Sequence, residues 1–307
     1  MYYRNYTNLQ SLIKKNIVLL QSGKFDIIVG IPRSGMVPAY MIALYLNKNC
    51  CDLDAFLQNR PLKTGITRTP KDDLKYPHDA RKILVVDDCI ASGRSLSLAL
   101  QNVPQTERDK VVTLAIYSSE KSREDVDFFF ESLPGPRLFE WNIFHSSIVK
   151  RACFTLDGVI CNGPSEKVVI GSQHDTDLMM NSDPVIIPSG KIGCVVSNRT
   201  EKYREITEKW LKKHGIEYET LMMNENGNKS SEHFKAEVYK KSGQELFFER
   251  DRKKALAIFK LTKKPVYCVG TNEMFSKGVI VSAFYGSKVS KKFLIENMKN
   301  QIRKLYS

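Results

Sequence analysis

The sequence contains no run of about 18 apolar residues, so no segment is expected to cross a membrane. Its N-terminus, MYYRNYTNLQSLIKKN, has neither an uninterrupted apolar core nor a small-residue cleavage site, so a signal peptide is not expected. There is no Cys-x-x-Cys pair, and the cysteines are odd in number, seven. We therefore predict free thiols in a reducing cytoplasm, rather than a disulfide framework or a zinc site.

Neither internal repeats nor a low-complexity linker interrupts the 307 residues. The 5 histidines show no metal-ligand spacing with one another, so we interpret them as surface or hydrogen-bonded structural residues. A chain of this length suits two domains of roughly 150 residues each. With 42% hydrophobic and 26% charged residues, each domain can bury an ordinary globular core.

The formal net charge is +13. This charge is compatible with a nucleic-acid partner, with a phosphorylated substrate or with an acidic surface. Lysine and arginine are spread over the whole chain and are densest near the C-terminus, where apolar residues fall near helical spacing. We interpret that segment as an amphipathic helix with a solvated basic face, and nucleic acid is not the expected partner.

Short apolar runs rich in β-branched residues alternate with helical patterns along the chain. These runs occupy residues 26–31, 82–88, 110–117, 151–159, 192–198, 245–249 and 265–270. The alternation is typical of an α/β fold with buried parallel strands and crossover helices. We predict two domains, at residues 1–150 and 151–275, and a C-terminal strand and helix tail at 276–307 that packs on one of them.

One strand leads into a group of polar residues. The apolar stretch at 83–86 is followed by two adjacent carboxylates, Asp87 and Asp88. A small-residue loop precedes the next helix and consists of Ala91, Ser92, Gly93, Arg94 and Ser95. At the carboxyl end of a parallel strand, N–H groups of such a loop bind anions, while the carboxylates suit the hydroxyls of a sugar. The pattern predicts a sugar-phosphate site, and a plain turn rich in Asp, Ser and Gly is the alternative.

The whole stretch ILVVDDCIASGRSL resembles the phosphoribosyl pyrophosphate (PRPP) motif of the type I phosphoribosyltransferase family. The resemblance implies that Asp87 and Asp88 hold the ribose hydroxyls and that Ala91 to Ser95 wrap the 5-phosphate. Two threonines that are usual in this loop are Ala91 and Ser92 here. Because Ala91 keeps its N–H but has no hydroxyl, we expect weaker binding rather than none.

A second segment, at 26–43, has the order strand, loop and helix, with Arg33, Ser34 and Gly35 in the loop. A guanidinium among N–H groups at a helix N-terminus suits a pyrophosphate. The segment resembles the family's pyrophosphate loop, whose peptide often has an unusual geometry, and a turn with a surface arginine is the alternative. The polar, basic stretch 56–77 then corresponds to a flap that closes over PRPP.

The same resemblance implies a cofactor and catalytic roles. Magnesium would bridge the pyrophosphate oxygens and the ribose hydroxyls. Asp87 and Asp88 would be its ligands on the protein, and these two residues together with Arg33 would be the catalytic set.

A second motif set begins in RACFTLDGVICNGP at 151–164. Its Thr-Leu-Asp-Gly stretch resembles the first motif of the haloacid dehalogenase (HAD) superfamily, in which two aspartates hold magnesium and the first attacks phosphate. Later segments supply a serine at a strand end, a lysine that would neutralise phosphate and closing acidic residues, in the family's order. The resemblance implies a HAD-like, Rossmannoid domain, with Asp157 as a magnesium ligand. Its site would comprise Thr155, Asp157, Ser197, Lys235, Glu249 and Asp251.

Thr155 stands where that superfamily has its nucleophilic aspartate. A hydroxyl without an adjacent base is a poor nucleophile, and the change also removes a carboxylate ligand of magnesium. We therefore expect an impaired or lost phosphatase. The domain is then either a structural or phosphate-binding unit, or it retains slow chemistry through Asp157.

The order of the two motif sets resembles bacterial fusion proteins associated with capsule polysaccharide and surface-glycan synthesis. It implies a glycosyltransferase reaction that moves 5-phosphoribose from PRPP to a glycan hydroxyl or a nucleobase nitrogen, with release of pyrophosphate. No small hood for a nucleobase is identifiable, which favours a non-nucleobase acceptor. A non-catalytic protein that senses PRPP or a nucleotide is the alternative from another class, and oligomerisation is compatible with either.

Overall fold

The computed structural model describes residues 1–163, 173–225 and 230–277, apart from residues 64, 66, 68, 69 and 71–73. The chain divides into two compact units, one containing Tyr2–Arg137 and the other containing residues 138–277. The expected tail at 276–307 lies outside the described residues from 278 onwards. Within the described ranges, no helix is both long and apolar enough to span a bilayer.

The division into compact units falls between Arg137 and Leu138, while the domain boundary near residue 150 stays a prediction. Aromatic packing explains where the division falls. The ring of Phe144 lies 5.4 Å from that of Phe248 and 6.2 Å from that of Tyr267, measured between centroids. The segment after Arg137 therefore packs with the strands of the second unit.

The first unit is built from strands and helices in alternation. Its strands are β1 (Tyr2–Arg4), β2 (Ile27–Gly30), β3 (Asn49–Asp52), β4 (Ile83–Ile90), β5 (Val111–Ser118) and β6 (Phe128–Ser132), and β7 (Arg137–Phe139) crosses the division. Its helices are α1 (Tyr6–Lys15), α2 (Ile17–Ser22), α3 (Met36–Leu46), α4 (Leu53–Leu57), α5 (Arg94–Gln101) and α6 (Gln105–Arg108).

Five strands form one parallel sheet in the order β3-β2-β4-β5-β6. This confirms the α/β class with a parallel sheet. The chain leaves β2 through α3 towards β3 on one side, and leaves β4 through α5 towards β5 on the other. The carboxyl ends of β2 and β4 thus flank a topological switch point, the place where open α/β sheets bind ligands.

Strand β4 is longer than the apolar run at 83–86 suggested. It continues through Asp87 and Asp88 to Ile90, because β5 supplies partners along this whole stretch. Ala115 pairs with Asp87, and Ser118 pairs with Ile90. The two carboxylates are therefore held by the sheet on the strand itself, and the strand continues two residues beyond the run predicted at 82–88.

The second unit repeats the alternation. Its strands are β8 (Ala152–Thr155), β9 (Ile192–Ser197), β10 (Tyr218–Met223), β11 (Leu246–Glu249), β12 (Val266–Cys268) and β13 (Glu273–Phe275). Its helices are α7 (Gln173–Asn181), α8 (Arg204–Lys213), α9 (Ser231–Lys241) and α10 (Arg252–Thr262). The strands form a sheet in the order β10-β9-β8-β11-β12-β13, in which only β13 is antiparallel to its neighbour. Here the switch point lies between β8 and β11.

Gly35 lets α3 begin directly against β4. Its φ of −63° is ordinary helical backbone, so conformational freedom is not the reason for glycine at this position. A Cβ at Gly35 would lie 2.6 Å from the carbonyl oxygen of Ile31 and 2.7 Å from that of Val86. Both obstacles are backbone atoms of paired segments, which cannot turn aside as a side chain can.

We expect Gly35→Ala to lower the free energy of unfolding by about 1–3 kcal/mol, the usual cost of forcing a methyl group into a packed site. Urea denaturation followed by circular dichroism measures the change. Gly190→Ala is the matched control, because a Cβ there would meet nothing within 4 Å. If the two variants have the same free energy of unfolding, α3 can move away from β4 without loss of stability and the prediction is wrong.

Candidate functional site

A cavity of about 600 Å³ opens at the switch point between β2 and β4. Its wall includes Ser34 from the loop after β2 and every residue from Asp87 to Leu96. The structure thus brings together two segments that lie more than 50 positions apart in the sequence, as shown by the bond between Ser34 and Asp88.

The carboxylates of Asp87 and Asp88 are both nearly buried, with 8% and 5% of each residue exposed. The backbone N–H of Asp88 donates to Oδ1 of Asp87 at 2.8 Å. The hydroxyl of Ser34 donates to Oδ1 of Asp88 at 2.9 Å. Burial, and after it the neighbouring charge of Asp88, raises the pKa of Asp87 to about 7. Asp87 therefore offers hydrogen-bond acceptors whose charge changes near neutral pH.

The loop after β4 has the form expected of an anion site. Gly93 adopts a left-handed φ of +76°, and α5 begins at the next residue. The N–H of Ser97 donates to the Gly93 carbonyl at 2.9 Å and closes the first helical turn. The first N–H groups of a helix have no partner within the helix, so they are available to a bound anion. Ala91, Ser92, Arg94 and Ser95 are exposed around this turn.

The expected pyrophosphate loop joins this cavity only in part. Ser34 lines the cavity, whereas Arg33 is exposed and is not among the residues of its wall. The peptide between Pro32 and Arg33 is cis. In the expected flap, Arg60 forms ion pairs with Asp52 and Asp54, and Arg68 and Lys71 lie outside the described residues.

The second predicted site forms a closed ion-pair cluster at the switch point between β8 and β11. The Thr155 hydroxyl donates to Oε2 of Glu249 at 3.0 Å, and Nζ of Lys235 donates to the same oxygen at 2.8 Å. The other oxygen of Glu249 accepts the backbone N–H groups of Arg250 and Asp251. Thr155, Lys235 and Glu249 are each at most 3% exposed. Both oxygens of this carboxylate are thus engaged by the protein itself.

Asp157 is held by an arginine that the sequence analysis missed. Nη2 of Arg199 donates to one of its oxygens at 2.6 Å, and Nε donates to the other at 3.2 Å. Arg199 is 3% exposed, and its own N–H donates to the Ser197 hydroxyl at 3.1 Å. A basic residue two positions after the β9 strand end was the available signal. Asp251 does not join this group in the described contacts, because it caps α10 by accepting the N–H of Lys254.

Residues 5–148 match the family described as the phosphoribosyl transferase domain, a match that covers nearly all of the first unit and continues past Arg137. No curated protein matches the chain. Solved structures similar to it include the purine phosphoribosyltransferase from Pyrococcus horikoshii Ot3, at 19% identity over 45% of this chain and 92% of that chain, with a TM-score of 0.33. The Helicobacter pylori xanthine-guanine-hypoxanthine phosphoribosyltransferase is 21% identical over 46% and 93%, with a TM-score of 0.34. A chain of the Pnkp1/Rnl/Hen1 complex is 16% identical over 79% and 94%, with a TM-score of 0.30. At these values we draw no functional conclusion from the three structures.

The pKa of Asp87 predicts how stability changes with pH. Because this pKa is raised in the folded protein, ionising Asp87 disfavours folding. The stability of the wild type relative to Asp87→Asn is expected to be highest below about pH 4, the unfolded pKa, and to fall as pH rises through 7. Urea denaturation at a series of pH values measures this difference. The exposed Asp109 supplies the control, since Asp109→Asn should follow the wild-type profile. Parallel wild-type and Asp87→Asn profiles would contradict the prediction.

Proposed function

We propose that the first unit binds PRPP and transfers its 5-phosphoribosyl group to an acceptor, with release of pyrophosphate. The observation that carries this proposal is the cavity between β2 and β4, where two buried carboxylates face the same space as a helix-backed loop. The match of residues 5–148 to the phosphoribosyl transferase domain supports the same reading. In the reaction, the bond from C1 of the ribose to a pyrophosphate oxygen breaks, a bond from C1 to the acceptor forms, and the acceptor loses a proton.

Different residues of the cavity bind different parts of PRPP. Asp87 and Asp88 accept hydrogen bonds from the ribose hydroxyls, and the turn from Ala91 to Ser95 binds the 5-phosphate through N–H groups and two hydroxyls. The Ser34 hydroxyl keeps Asp88 oriented in the cavity. Arg33 and Gly35 belong to the loop that would receive the pyrophosphate, with Arg33 supplying positive charge from the rim.

Magnesium fits the first site. The cation prefers oxygen ligands and is commonly held by one or two carboxylates together with phosphate oxygens of the substrate. Asp87 and Asp88 provide such a pair, and the described residues contain no group of three or more metal-binding side chains that would hold a cation alone. When bound, magnesium would neutralise charge that develops on the departing pyrophosphate.

Two acceptor classes are compatible with this donor site. A glycan hydroxyl is our preferred acceptor, on the resemblance of the motif order to surface-glycan proteins and on the lack of an identifiable nucleobase hood in the sequence. A nucleobase nitrogen is the alternative. A protein that only senses PRPP differs from both, because it would bind the donor without releasing pyrophosphate.

For the second unit, we propose a HAD-like domain without phosphatase activity. Its strand-end residues do not fit magnesium. Thr155 brings a hydroxyl in place of a carboxylate, Asp157 is bound on both oxygens by Arg199, and Glu249 is saturated by Lys235 and N–H groups. A cation would first have to displace these contacts and leave charges uncompensated, which supports a domain without phosphatase activity.

The donor site is tested by the double variant Asp87→Asn with Asp88→Asn, which keeps the shape of both side chains. We expect its Kd for PRPP with magnesium to rise by about 100-fold, since charge-assisted hydrogen bonds contribute about 1.5–3 kcal/mol each. Isothermal titration calorimetry measures this, with Asp109→Asn as the matched control. The absence of PRPP binding by the wild type, or equal binding by the double variant, would overturn the proposal.

The acceptor is tested with the wild type, PRPP and magnesium against nucleobases and sugar acceptors, read by mass spectrometry and by pyrophosphate release. A phosphoribosylated glycan supports the preferred acceptor, and a nucleotide product supports the alternative. Binding of PRPP with no product and no pyrophosphate from any acceptor would favour the sensing protein.

The loss of phosphatase activity is tested with p-nitrophenyl phosphate and magnesium. We expect no hydrolysis by the wild type above that of buffer. The double variant Thr155→Asp with Arg199→Ser provides two carboxylates without the competing guanidinium, so it is expected to be faster than the wild type. A wild type as fast as the double variant would show that the cluster does not block the chemistry.

A further inference from the structure

Arg123 and Asp125 lie against the turn Ala91–Gly93 without lining the cavity. Nη1 of Arg123 donates to the carbonyl oxygen of Ala91 at 2.6 Å. The same guanidinium binds both oxygens of Asp125, from Nε at 2.7 Å and from Nη2 at 2.6 Å. Only 5% of the Arg123 side chain is exposed. A planar guanidinium held at three points is a rigid support for the backbone that it contacts.

The turn is fixed from both of its ends. At one end, the hydroxyl of Ser119 donates to the Ala91 carbonyl at 3.0 Å and accepts Nη1 of Arg123 at 3.2 Å. At the other end, a Cβ on Gly93 would collide with the Asp125 carboxylate and would come within 3.3 Å of Nη2 of Arg123. The left-handed backbone of Gly93 therefore rests directly on this ion pair.

The ion pair also sets the local charge. A lone carboxylate in contact with Gly93 would repel a phosphate bound on the turn, because the two charges would lie a few ångströms apart. Arg123 compensates this charge, and its hydrogen bonds hold the pKa of Asp125 below the ordinary value. Loss of the guanidinium would both free the turn and uncover the carboxylate.

We infer that Arg123 is a positioning residue for the 5-phosphate of the donor, acting through the Ala91 carbonyl and through neutralisation of Asp125. The inference rests on the proposed function, since it assumes that this turn receives the 5-phosphate. Arg123 has no role in binding pyrophosphate, because the loop after β2 is proposed to bind that group.

The selective readout is the binding of two ligands that occupy different parts of the site, ribose 5-phosphate and magnesium pyrophosphate, measured by calorimetry. Arg123→Met is expected to weaken ribose 5-phosphate binding by about tenfold or more, equivalent to roughly 1.4 kcal/mol. It should leave the Kd for magnesium pyrophosphate within about twofold. Arg123→Lys keeps the charge but not the planar fork, so we expect an intermediate effect. A structural defect would weaken both ligands alike.

Two further variants complete the test. Adding Asp125→Asn to Arg123→Met removes the uncovered carboxylate and is expected to restore part of the ribose 5-phosphate affinity. Arg204 forms a similar fork with Glu201 in the second unit, so Arg204→Met is the matched control and should bind both ligands like the wild type. Hydrogen exchange of the ligand-free protein supplies an independent readout, because Arg123→Met should speed exchange in residues 88–97.

The outcomes separate the inference from the function on which it rests. If the wild type binds ribose 5-phosphate and Arg123→Met binds it equally well, the inference fails and the proposed function stands. Equal loss of both ligands, or unchanged exchange in residues 88–97, also overturns the positioning role. If the wild type binds neither PRPP nor ribose 5-phosphate, the proposed function fails together with the inference.

Discussion

The first unit depends on keeping two adjacent carboxylates inside a parallel sheet. Asp87 and Asp88 occupy the end of β4, where pairing with β5 fixes the backbone and the Ser34 hydroxyl fixes one side chain. Burial, and after it the charge of Asp88, works against the ionisation of Asp87 and raises its pKa. The sheet holds the buried carboxylate oxygens in place before a ligand binds. Binding therefore requires little reorganisation of these acceptors.

The second unit has a similar switch point, but there several of the polar side chains bond to one another. These side chains come from strand ends and from helix α9. Lys235 and Thr155 share one oxygen of Glu249, and Arg199 covers Asp157. Charges that are matched in this way need no ligand, and a cation or phosphate would first have to break contacts between buried groups.

The sequence predicts the central strands well because a strand buried on both faces is a continuous apolar run, as in β2, β4, β9 and β11. It did not reveal the edge strands β3, β6 and β10, whose polar residues break that pattern. Local sequence also associated Asp87 with β4 and Asp157 with the end of β8, although β4 continues past Asp87 to Ile90. It missed Arg123 and Arg199, because their partners lie 32 and 42 residues away and only the fold brings them together.

A comparison of Asp88 with Asp157 shows that a sequence motif predicts where a site lies but not which partners its carboxylate has. Each lies near the carboxyl end of a strand beside a switch point, and each is followed by a glycine-containing loop. Asp88 is approached by a neutral hydroxyl from the neighbouring loop, whereas Asp157 is gripped on both oxygens by a guanidinium from the neighbouring strand end. A hydroxyl brings no compensating charge to the carboxylate, whereas a guanidinium neutralises it. The side chain that the segment after the neighbouring strand presents, Ser34 after β2 or Arg199 after β9, therefore distinguishes the two acidic sites.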